Sequence, residues 1–238
     1  MARVENGSIS GAVGNLIFYT MNGNGYVRSK PGKRPRKRNH KPLEVNTVFG
    51  TVSTCGSPML VQLGRQLLYT LKLADYNRTR GWMRNQYANN YQATSWPIAA
   101  HTGGTCQVNG SADLRDCLFV DTSLQLDKKK LTLGLPALNP AKQIKAPPRT
   151  SKVTIKAMVI SSPFKMEAAK NCTVIMEQLV IDYKDMQLPA TELVLNLQGK
   201  GVAIVALALE YTITASGKEL VEMETKWLPA ALIAMGRF

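Results

Sequence analysis

Eight basic side chains within a stretch of fourteen residues form the densest group of chemically active residues in the sequence. They are Arg28, Lys30, Lys33, Arg34, Arg36, Lys37, Arg38 and Lys41, and no acidic residue lies between them. Lysine and arginine release condensed counterions when they contact phosphate, and an extended arm can follow a groove without reading bases. The stretch therefore predicts an arm that binds nucleic acid or another polyanion. A solvated loop, or a loop that contacts acidic protein, is the alternative.

Three further arginines, Arg78, Arg80 and Arg84, are interleaved with aromatic residues in a segment of helical pattern. Guanidinium groups and aromatic rings together form platforms on which single-stranded nucleic acid stacks. The tyrosines of this segment share a helical face with Met83, however, and such a stripe is also typical of core packing with the arginines facing solvent. Trp82 lies nearer the arginine side, so it is the aromatic residue to test for base stacking.

Candidate catalytic groups are few, because the chain has only two histidines. Three aspartates between residues 113 and 121 lie close in sequence to Cys117, and His101 precedes Cys106. Neither spacing matches a known mechanism, and the surrounding glycine and asparagine residues are typical of turns. We therefore expect no catalytic site, no cofactor and no enzymatic activity.

The four cysteines contain no C-x-x-C pair of the kind found in zinc knuckles and redox motifs. This pattern favours free and mostly buried thiols, and no metal site is expected. A Cys106–Cys117 disulfide or a metal ligand remains the alternative. Intact disulfides would indicate an oxidising compartment.

The charge is distributed very unevenly along the 238 residues, whose formal net charge is +14. Residues 1–100 hold 14 basic and 3 acidic side chains, residues 101–150 hold 7 and 4, and residues 151–238 hold 9 and 9. A hydrophobic content of 45% is sufficient for a folded core. The asymmetry predicts that the N-terminal part meets an anionic surface while the neutral C-terminal part packs against protein.

The elements around the basic arm are predicted as follows. A β-rich run from Gly14 to Ser29, with a turn at Asn22-Gly23 or Asn24-Gly25, predicts a β-hairpin. Pro31 and Pro35 then exclude a regular helix or a central strand, so the basic residues lie on an extended arm or a long loop.

Two helices are predicted to follow the arm. Ser57 has the type of an N-cap residue and Pro58 suits the first helical position, which predicts a helix from Ser57 to Asp75. Asp75 can cap a second helix that reaches about Asn90 and carries the three arginines.

The C-terminal half is predicted to be all β. Runs of strand type at regular spacing, separated by glycine-containing turns, favour an immunoglobulin-like antiparallel β-sandwich. The fold class is thus α+β. The predicted divisions are an N-terminal β-hairpin (1–27), a basic arm (28–42), a helical segment (43–95), an irregular connecting region (96–149) and a β-sandwich domain (150–238).

The N-terminal residues also resemble a known family. The residues that carry the likeness are a Gly-x-x-Gly-Asn strand that begins at Gly11, the turn Asn22-Gly23, and a Tyr-Val-Arg-x-Lys-Pro strand from Tyr26 to Pro31. Over about residues 7–31 this pattern resembles an uncharacterised protein family of Bacteroidota. The resemblance implies a compact bacterial or phage protein and carries no activity.

These features favour a non-enzymatic structural protein of a large assembly, such as a bacteriophage virion. Its basic arm would contact nucleic acid or a neighbouring subunit, and its β-domain would pack against copies of itself. The N-terminus has no apolar run of the length that a classical signal peptide needs, and no run is long enough to span a bilayer, so we expect a cytoplasmic or virion location. The alternatives are a stand-alone cytosolic nucleic-acid-binding protein and a surface or secreted adhesin-like protein.

Overall fold

The computed structural model describes residues 3–5, 8–21, 24–30, 42–90, 93, 96–98 and 104–238, with side chains from residue 9 onward except those of 21 and 42–46. The chain forms two compact units, Met1–Pro42 and Leu43–Phe238. The fold is mixed α+β and mostly β, with several antiparallel sheets. Within the described residues, no helix has the length and apolar character needed to cross a bilayer.

The first unit is a four-stranded antiparallel meander. Its strands are β1 (Arg3–Glu5), β2 (Ser8–Val13), β3 (Leu16–Met21) and β4 (Asn24–Ser29), paired in chain order. The β2–β3 turn places Gly14 at a φ of +56°, at the position where a type II′ hairpin turn favours glycine. Gly25 pairs with Thr20 inside β4, so Asn24-Gly25 is not the turn between β3 and β4.

The second unit begins with one continuous helical run. It consists of α1 (Pro42–Thr51), a π-helical turn (Val52–Gly56) and α2 (Ser57–Gln66). The predicted N-cap at Ser57 is wrong, because Ser57 has helical dihedrals and makes no capping bond. Pro58 also lies inside the run. Proline has no backbone N–H to donate to the preceding turn, and the wider π-turn directly before it accommodates the missing hydrogen bond. The helix ends at Gln66 rather than Asp75, since Leu67 is extended.

The second predicted helix is present as α3 (Leu73–Asn90), and it begins two residues before Asp75. Asp75 is therefore not the N-cap. Its Oδ2 accepts a 3.0 Å hydrogen bond from the backbone N–H of Lys72, which is the reach-back contact that a third-position side chain makes in a capping box.

A large antiparallel sheet forms the centre of the second unit. Its strands are β5 (Cys106–Gln107), β8 (Thr150–Ser162), β9 (Thr173–Asp182), β11 (Val202–Ala215), β12 (Lys218–Val221) and β13 (Ala230–Arg237). The strand order is β5, β13, β11, β8, β9, and β12 pairs with the C-terminal end of β11. β12 is short and ends at Val221, and a 3-10 turn from Thr225 to Trp227 lies between it and β13.

A second, three-stranded sheet has the order β10, β7, β6. Its strands are β6 (Ser123–Asp127), β7 (Lys130–Leu135) and β10 (Thr191–Asn196), and a short helix, α4 (Pro140–Gln143), follows β7. Leucines of this sheet, such as Leu131, Leu133 and Leu195, pack in one core cluster with Val205 and Leu207 of β11.

The opposite face of the large sheet packs against the helices. Met59, Leu60 and Leu63 of α2 and Met83 of α3 join Ile204 of β11 in a second core cluster. The second unit therefore has three layers, which are the helices, the large sheet and the small sheet.

The immunoglobulin-like sandwich is not confirmed, for two reasons. One face of the large sheet is covered by helices, and two of the three strands of the small sheet come from residues that were predicted to form an irregular connection. The divisions predicted at 95/96 and 149/150 also fall inside the compact unit Leu43–Phe238, and the first unit ends at Pro42.

Candidate anion-binding site

The predicted arm lies mostly outside the described residues. Lys33, Arg34, Arg36, Lys37, Arg38 and Lys41 belong to that part, and the structure describes only Arg28 and Lys30 of the eight basic residues. Both are exposed, at and just after the end of β4. The backbone N–H of Lys30 donates to the carbonyl of Asn15 at 2.6 Å, which holds the start of the arm against the meander.

Arg28 belongs to an exposed cluster of two tyrosines and one cation. Tyr19 and Tyr26 face each other across β3 and β4, with stacked rings whose centroids are 5.6 Å apart. The guanidinium carbon of Arg28 lies 5.5 Å from the centroid of the Tyr19 ring. Such a cluster offers a flat aromatic surface and a positive charge, which are the two elements of a base-stacking platform.

Arg78 has a structural role. Its Nη2 pairs with Asp75 Oδ1 at 2.6 Å and donates to the carbonyl of Val108, and its Nε donates to the carbonyl of Gln107 at 2.8 Å. These bonds tie α3 to β5 and to the residue after it. Arg78 is therefore engaged within its own unit through Nε and Nη2, and its contact with nucleic acid stays a prediction.

Arg80 and Arg84 line a pocket of about 270 Å³ between two helical segments. One wall is the stripe Asn77, Arg80, Gly81 and Arg84 of α3, which are spaced to share one helical face. The other wall comes from the helical run that carries the π-turn, through Phe49, Val52 and Ser53. Among the described residues that line the pocket, two are cationic and none is acidic.

Arg80 is half-buried, and no described residue forms a hydrogen bond or an ion pair with its side chain. Its Nε is buried without a hydrogen-bond acceptor, and none of the described residues forms an ion pair with its guanidinium. A buried charged donor left unsatisfied costs on the order of 1–3 kcal/mol or more. Arg84 lies one turn further along the same face, and like charges at this spacing repel by about 0.2–0.5 kcal/mol. An anion in the pocket would offset the repulsion between the two guanidinium groups.

Gly81 leaves space in the wall of this pocket. No described atom lies within 4 Å of the position that a Cβ at Gly81 would occupy. Glycine inside a helix is less stable than alanine by about 0.5–1 kcal/mol. Packing therefore gives no reason for glycine here, whereas close approach of a ligand does.

The aromatic residues of α3 pack inward. Tyr76, Trp82 and Tyr87 contact the core cluster formed by the helices and the large sheet, and Trp82 Nε1 also donates to the carbonyl of Gly104 at 3.2 Å. Tyr87 packs against Trp96 and Phe164. The packing interpretation of this stripe is therefore the one that the structure supports, while Tyr91 lies outside the described residues.

The thiols and the acidic cluster do not form a reactive centre among the described residues. All four cysteines are free, and burial raises the pKa of the Cys106 thiol to about 11 and also raises those of Cys55, Cys117 and Cys172. The four thiols are therefore protonated at neutral pH and weakly nucleophilic. Their free state gives the adhesin hypothesis no support.

The predicted acidic cluster has a local structural role. Asp113 caps a 3-10 turn by accepting from the backbone N–H of Arg115 at 2.9 Å, and it pairs with the Arg115 guanidinium at 3.1 Å. His101 lies outside the described residues. Over the ranges that the structure describes, no three His, Cys, Asp or Glu side chains are grouped as metal ligands.

Arg80 and Arg84 were predicted from the sequence, but the other residues that line the pocket were not. Asn77, Arg80, Gly81 and Arg84 follow the spacing of one helical face, and this signal was present in the sequence. Phe49 and Ser53 could not be found in the same way, because their approach to α3 depends on the path of the helical run through the π-turn. The tyrosine pair of the meander was missed because the hairpin register was left open.

Comparison with protein-family models, with curated proteins and with solved structures found no match for this chain. The resemblance of residues 7–31 to a Bacteroidota family stays a prediction.

Proposed function

We propose that the chain is a non-enzymatic structural subunit of a large assembly, such as a bacteriophage virion, and that its N-terminal cations contact nucleic acid. The observation that carries the proposal is that most of the basic side chains described within the first hundred residues form no ion pair with another described residue. Among the described basic side chains of the first hundred residues, Arg78 is paired with a carboxylate. The side chains of Arg28, Lys30, Arg65, Lys72, Arg80 and Arg84 form no ion pair with a described residue.

The rest of the chain contrasts with this pattern. Lys152 pairs with Glu219, Lys156 with Glu210, and Lys226 with Glu224, so the neutral C-terminal part balances several of its charges internally. A protein surface with a persistent excess of one sign attracts counter-charged macromolecules over several ångströms. The two parts therefore suit two tasks, with contact to a polyanion at the N-terminal part and scaffolding by the β-rich part.

A subunit interface is supported by the apolar side chains of the meander. Val13 pairs with Leu16, and Phe18 pairs with Val27, so these four side chains share one face of the sheet. Val13 and Val27 are 54% and 55% exposed. A sheet usually buries its apolar face against another layer. A neighbouring subunit of the assembly can supply that layer.

The stand-alone nucleic-acid-binding module is the second candidate. The specific observation in its favour is the exposed cluster of Tyr19, Tyr26 and Arg28, since aromatic rings beside a cation bind single strands without any assembly. The two candidates differ in what binding does to the oligomeric state. An assembly subunit forms particles with its polyanion, and a module remains monomeric on it.

The test compares the intact chain with a variant in which the eight basic residues of the arm are changed to glutamine. Light scattering and electron microscopy, with and without nucleic acid, report the particles. We expect particles from the intact chain and a loss of both binding and particles in the arm variant. A chain that stays monomeric under every condition contradicts the assembly proposal, and a chain that binds as a monomer supports the second candidate.

A matched control separates the position of the charges from their number. It changes eight exposed lysines of the β-rich part to glutamine, and we expect it to retain binding and particles. These lysines are Lys128, Lys129, Lys130, Lys142, Lys145, Lys165, Lys170 and Lys200.

A further inference from the structure

We propose that the pocket between α3 and the π-helical run is a binding site for a phosphate group, held by Arg80 and Arg84. This inference rests on the proposed contact with a polyanion, and it assigns one such contact to a particular site in the second unit. The sequence pattern of the basic arm does not predict this pocket.

Arg80 identifies the pocket as an anion site. Arg80 lines the pocket, and its Nε is covered by protein atoms and has no described acceptor, so an anion in the pocket would bind the terminal nitrogens of the guanidinium. Arg84 adds a second guanidinium from the same helical face. Guanidinium groups bind phosphate oxygens through paired N–H donors, which gives both strength and orientation.

The remaining lining suits an oxyanion of small size. Ser53 and Asn77 provide neutral hydrogen-bond donors, and none of the described lining residues is a carboxylate that would compete for the arginines. The volume of about 270 Å³ is below the range of roughly 300–1,000 Å³ in which drug-sized ligands bind. One phosphate group with its bridging atoms is therefore a better match than a large organic ligand.

Gly81 provides independent support from the shape of the wall. A side chain at this position meets no described atom within 4 Å, so the pocket is open at Gly81 because of the residue type. Any larger residue would extend into the space that the ligand occupies. A glycine at this place therefore leaves room for a small anion beside the two arginines.

The phosphate can come from a free phosphate compound or from the backbone of nucleic acid. Phe49, which is 51% exposed and lies at the same pocket, offers a ring on which an adjacent base can stack. Inorganic phosphate and a short single-stranded oligonucleotide are therefore the two probes.

The experiment follows the arginine Nε–H signals by nuclear magnetic resonance while inorganic phosphate is added at constant ionic strength. The signal that disappears in Arg80→Gln identifies Arg80. We expect this signal to shift in a saturable way. We expect the dissociation constant, followed on the Arg84 Nε–H signal, to rise by about tenfold or more in Arg80→Gln, as for the loss of a charge-assisted hydrogen bond. An Arg80 signal that does not respond to phosphate overturns the proposal.

Two further variants separate a built site from general positive charge. Gly81→Leu keeps both arginines and fills the space, so we expect it to weaken phosphate binding by about tenfold as well. Arg65→Gln removes one exposed, unpaired charge from α2 and should change the affinity by less than about twofold. Equal effects of Arg65→Gln and Arg80→Gln contradict the site. Circular dichroism establishes that Gly81→Leu is folded, and the Arg80 signal decides the question if it is not.

The titration with the oligonucleotide identifies the source of the phosphate. If the oligonucleotide shifts the Arg80 signal and inorganic phosphate competes with it, the backbone of nucleic acid is the ligand. If inorganic phosphate alone binds, a free phosphate compound is the ligand and the site still stands. The phosphate titration does not involve the arm, so failure of the site and failure of the proposed assembly function are distinguishable.

Discussion

Arg78 and Arg80 lie two residues apart on α3, yet their guanidinium groups have opposite surroundings. Arg78 is held by Asp75 and by the carbonyls of Gln107 and Val108. Arg80 has a buried Nε without an acceptor, beside a pocket that contains Arg84. Both were predicted from the sequence as contacts to nucleic acid, and the helical pattern alone could not separate them. The partners of Arg78 come from residues about thirty positions away in the chain.

The first prediction concerns Asp75, which is 6% exposed and accepts hydrogen bonds from Lys72, Arg78 and Gly110. Asp75→Ala removes three acceptor contacts and leaves the Arg78 charge without its carboxylate. We expect the free energy of unfolding to fall by about 2–4 kcal/mol. Urea denaturation measures this change. Asp121→Ala, at an exposed carboxylate, should change it by less than about 0.5 kcal/mol, and equal losses in the two variants would contradict the role given to Asp75.

The second prediction concerns the pH dependence that follows from Cys106. Burial raises the pKa of this thiol from 9.0 to about 11, so between these two values the unfolded chain has lost the thiol proton while the folded chain retains it. The stabilisation from the neutral buried thiol is therefore complete below pH 9 and is lost as the pH rises toward about 11.

Cys106→Ser isolates this effect, because a serine hydroxyl does not ionise in that range. We expect the difference in the free energy of unfolding between the native chain and Cys106→Ser to shift steadily against the native chain as the pH is raised from 9 to about 11. Urea denaturation at several pH values gives the difference. A difference that is independent of pH would show that the thiol has an ordinary pKa in the folded chain.

At the scale of the elements, alternation along β11 explains the layered second unit. Val202, Ile204 and the next even-numbered residues face the helices, whereas Ala203, Val205 and the next odd-numbered residues face the small sheet. The sequence indicated this correctly as a central strand with two apolar faces. It could not show that one of those faces packs on helices, because the partner layers come from distant parts of the chain.

The β6–β7 hairpin was not predicted and the helix start at Ser57 was misplaced, and both errors have local physical reasons. The β6–β7 hairpin turns through Lys128, whose φ is +55°, so the turn has none of the glycine or asparagine residues that mark such positions. The helix start at Ser57 was misplaced because Pro58 is typical of a first helical turn, whereas a π-turn accommodates it in mid-run. By contrast, the Ser216-Gly217 turn has positive φ at both positions and was predicted from its residues.

The third prediction compares two glycines on different elements. A Cβ at Gly236 of β13 would lie 2.7 Å from the backbone N of Ile98, whereas a Cβ at Gly81 of α3 meets no described atom within 4 Å. We expect Gly236→Ala to lower the free energy of unfolding by about 1–3 kcal/mol through overpacking. Gly81→Ala should raise it by about 0.5–1 kcal/mol through helix propensity.

Chemical denaturation of the two alanine variants beside the native chain provides this comparison. A loss of stability in Gly81→Ala would indicate that the wall of the pocket is closely packed. That result would also weaken the proposal of a phosphate site there.

At the scale of the whole molecule, the cations of the N-terminal part are the feature that connects sequence and function. The excess was visible in the composition, and the structure adds that six described members of the group form no ion pair with a described residue. The exposed apolar face of the meander was not visible in the composition. This apolar face follows only from the strand register, which pairs Val13 with Leu16 and Phe18 with Val27.

The fourth prediction follows from counterion release. If all eight arm cations contact phosphate, the logarithm of the binding constant for a single-stranded oligonucleotide should fall with the logarithm of salt concentration with a slope of roughly −5 to −6. The variant with eight glutamines in the arm should lose most of this slope. The control variant with eight glutamines in the β-rich part should keep it.

The salt dependence of oligonucleotide binding by the intact chain and by the arm variant is the most direct test of the central claim. We predict a steep slope for the intact chain, between about 50 and 200 mM salt, and a shallow slope for the arm variant. A shallow slope for both chains, or an equally steep slope for both, would contradict the claim that the N-terminal cations are held available for a polyanion.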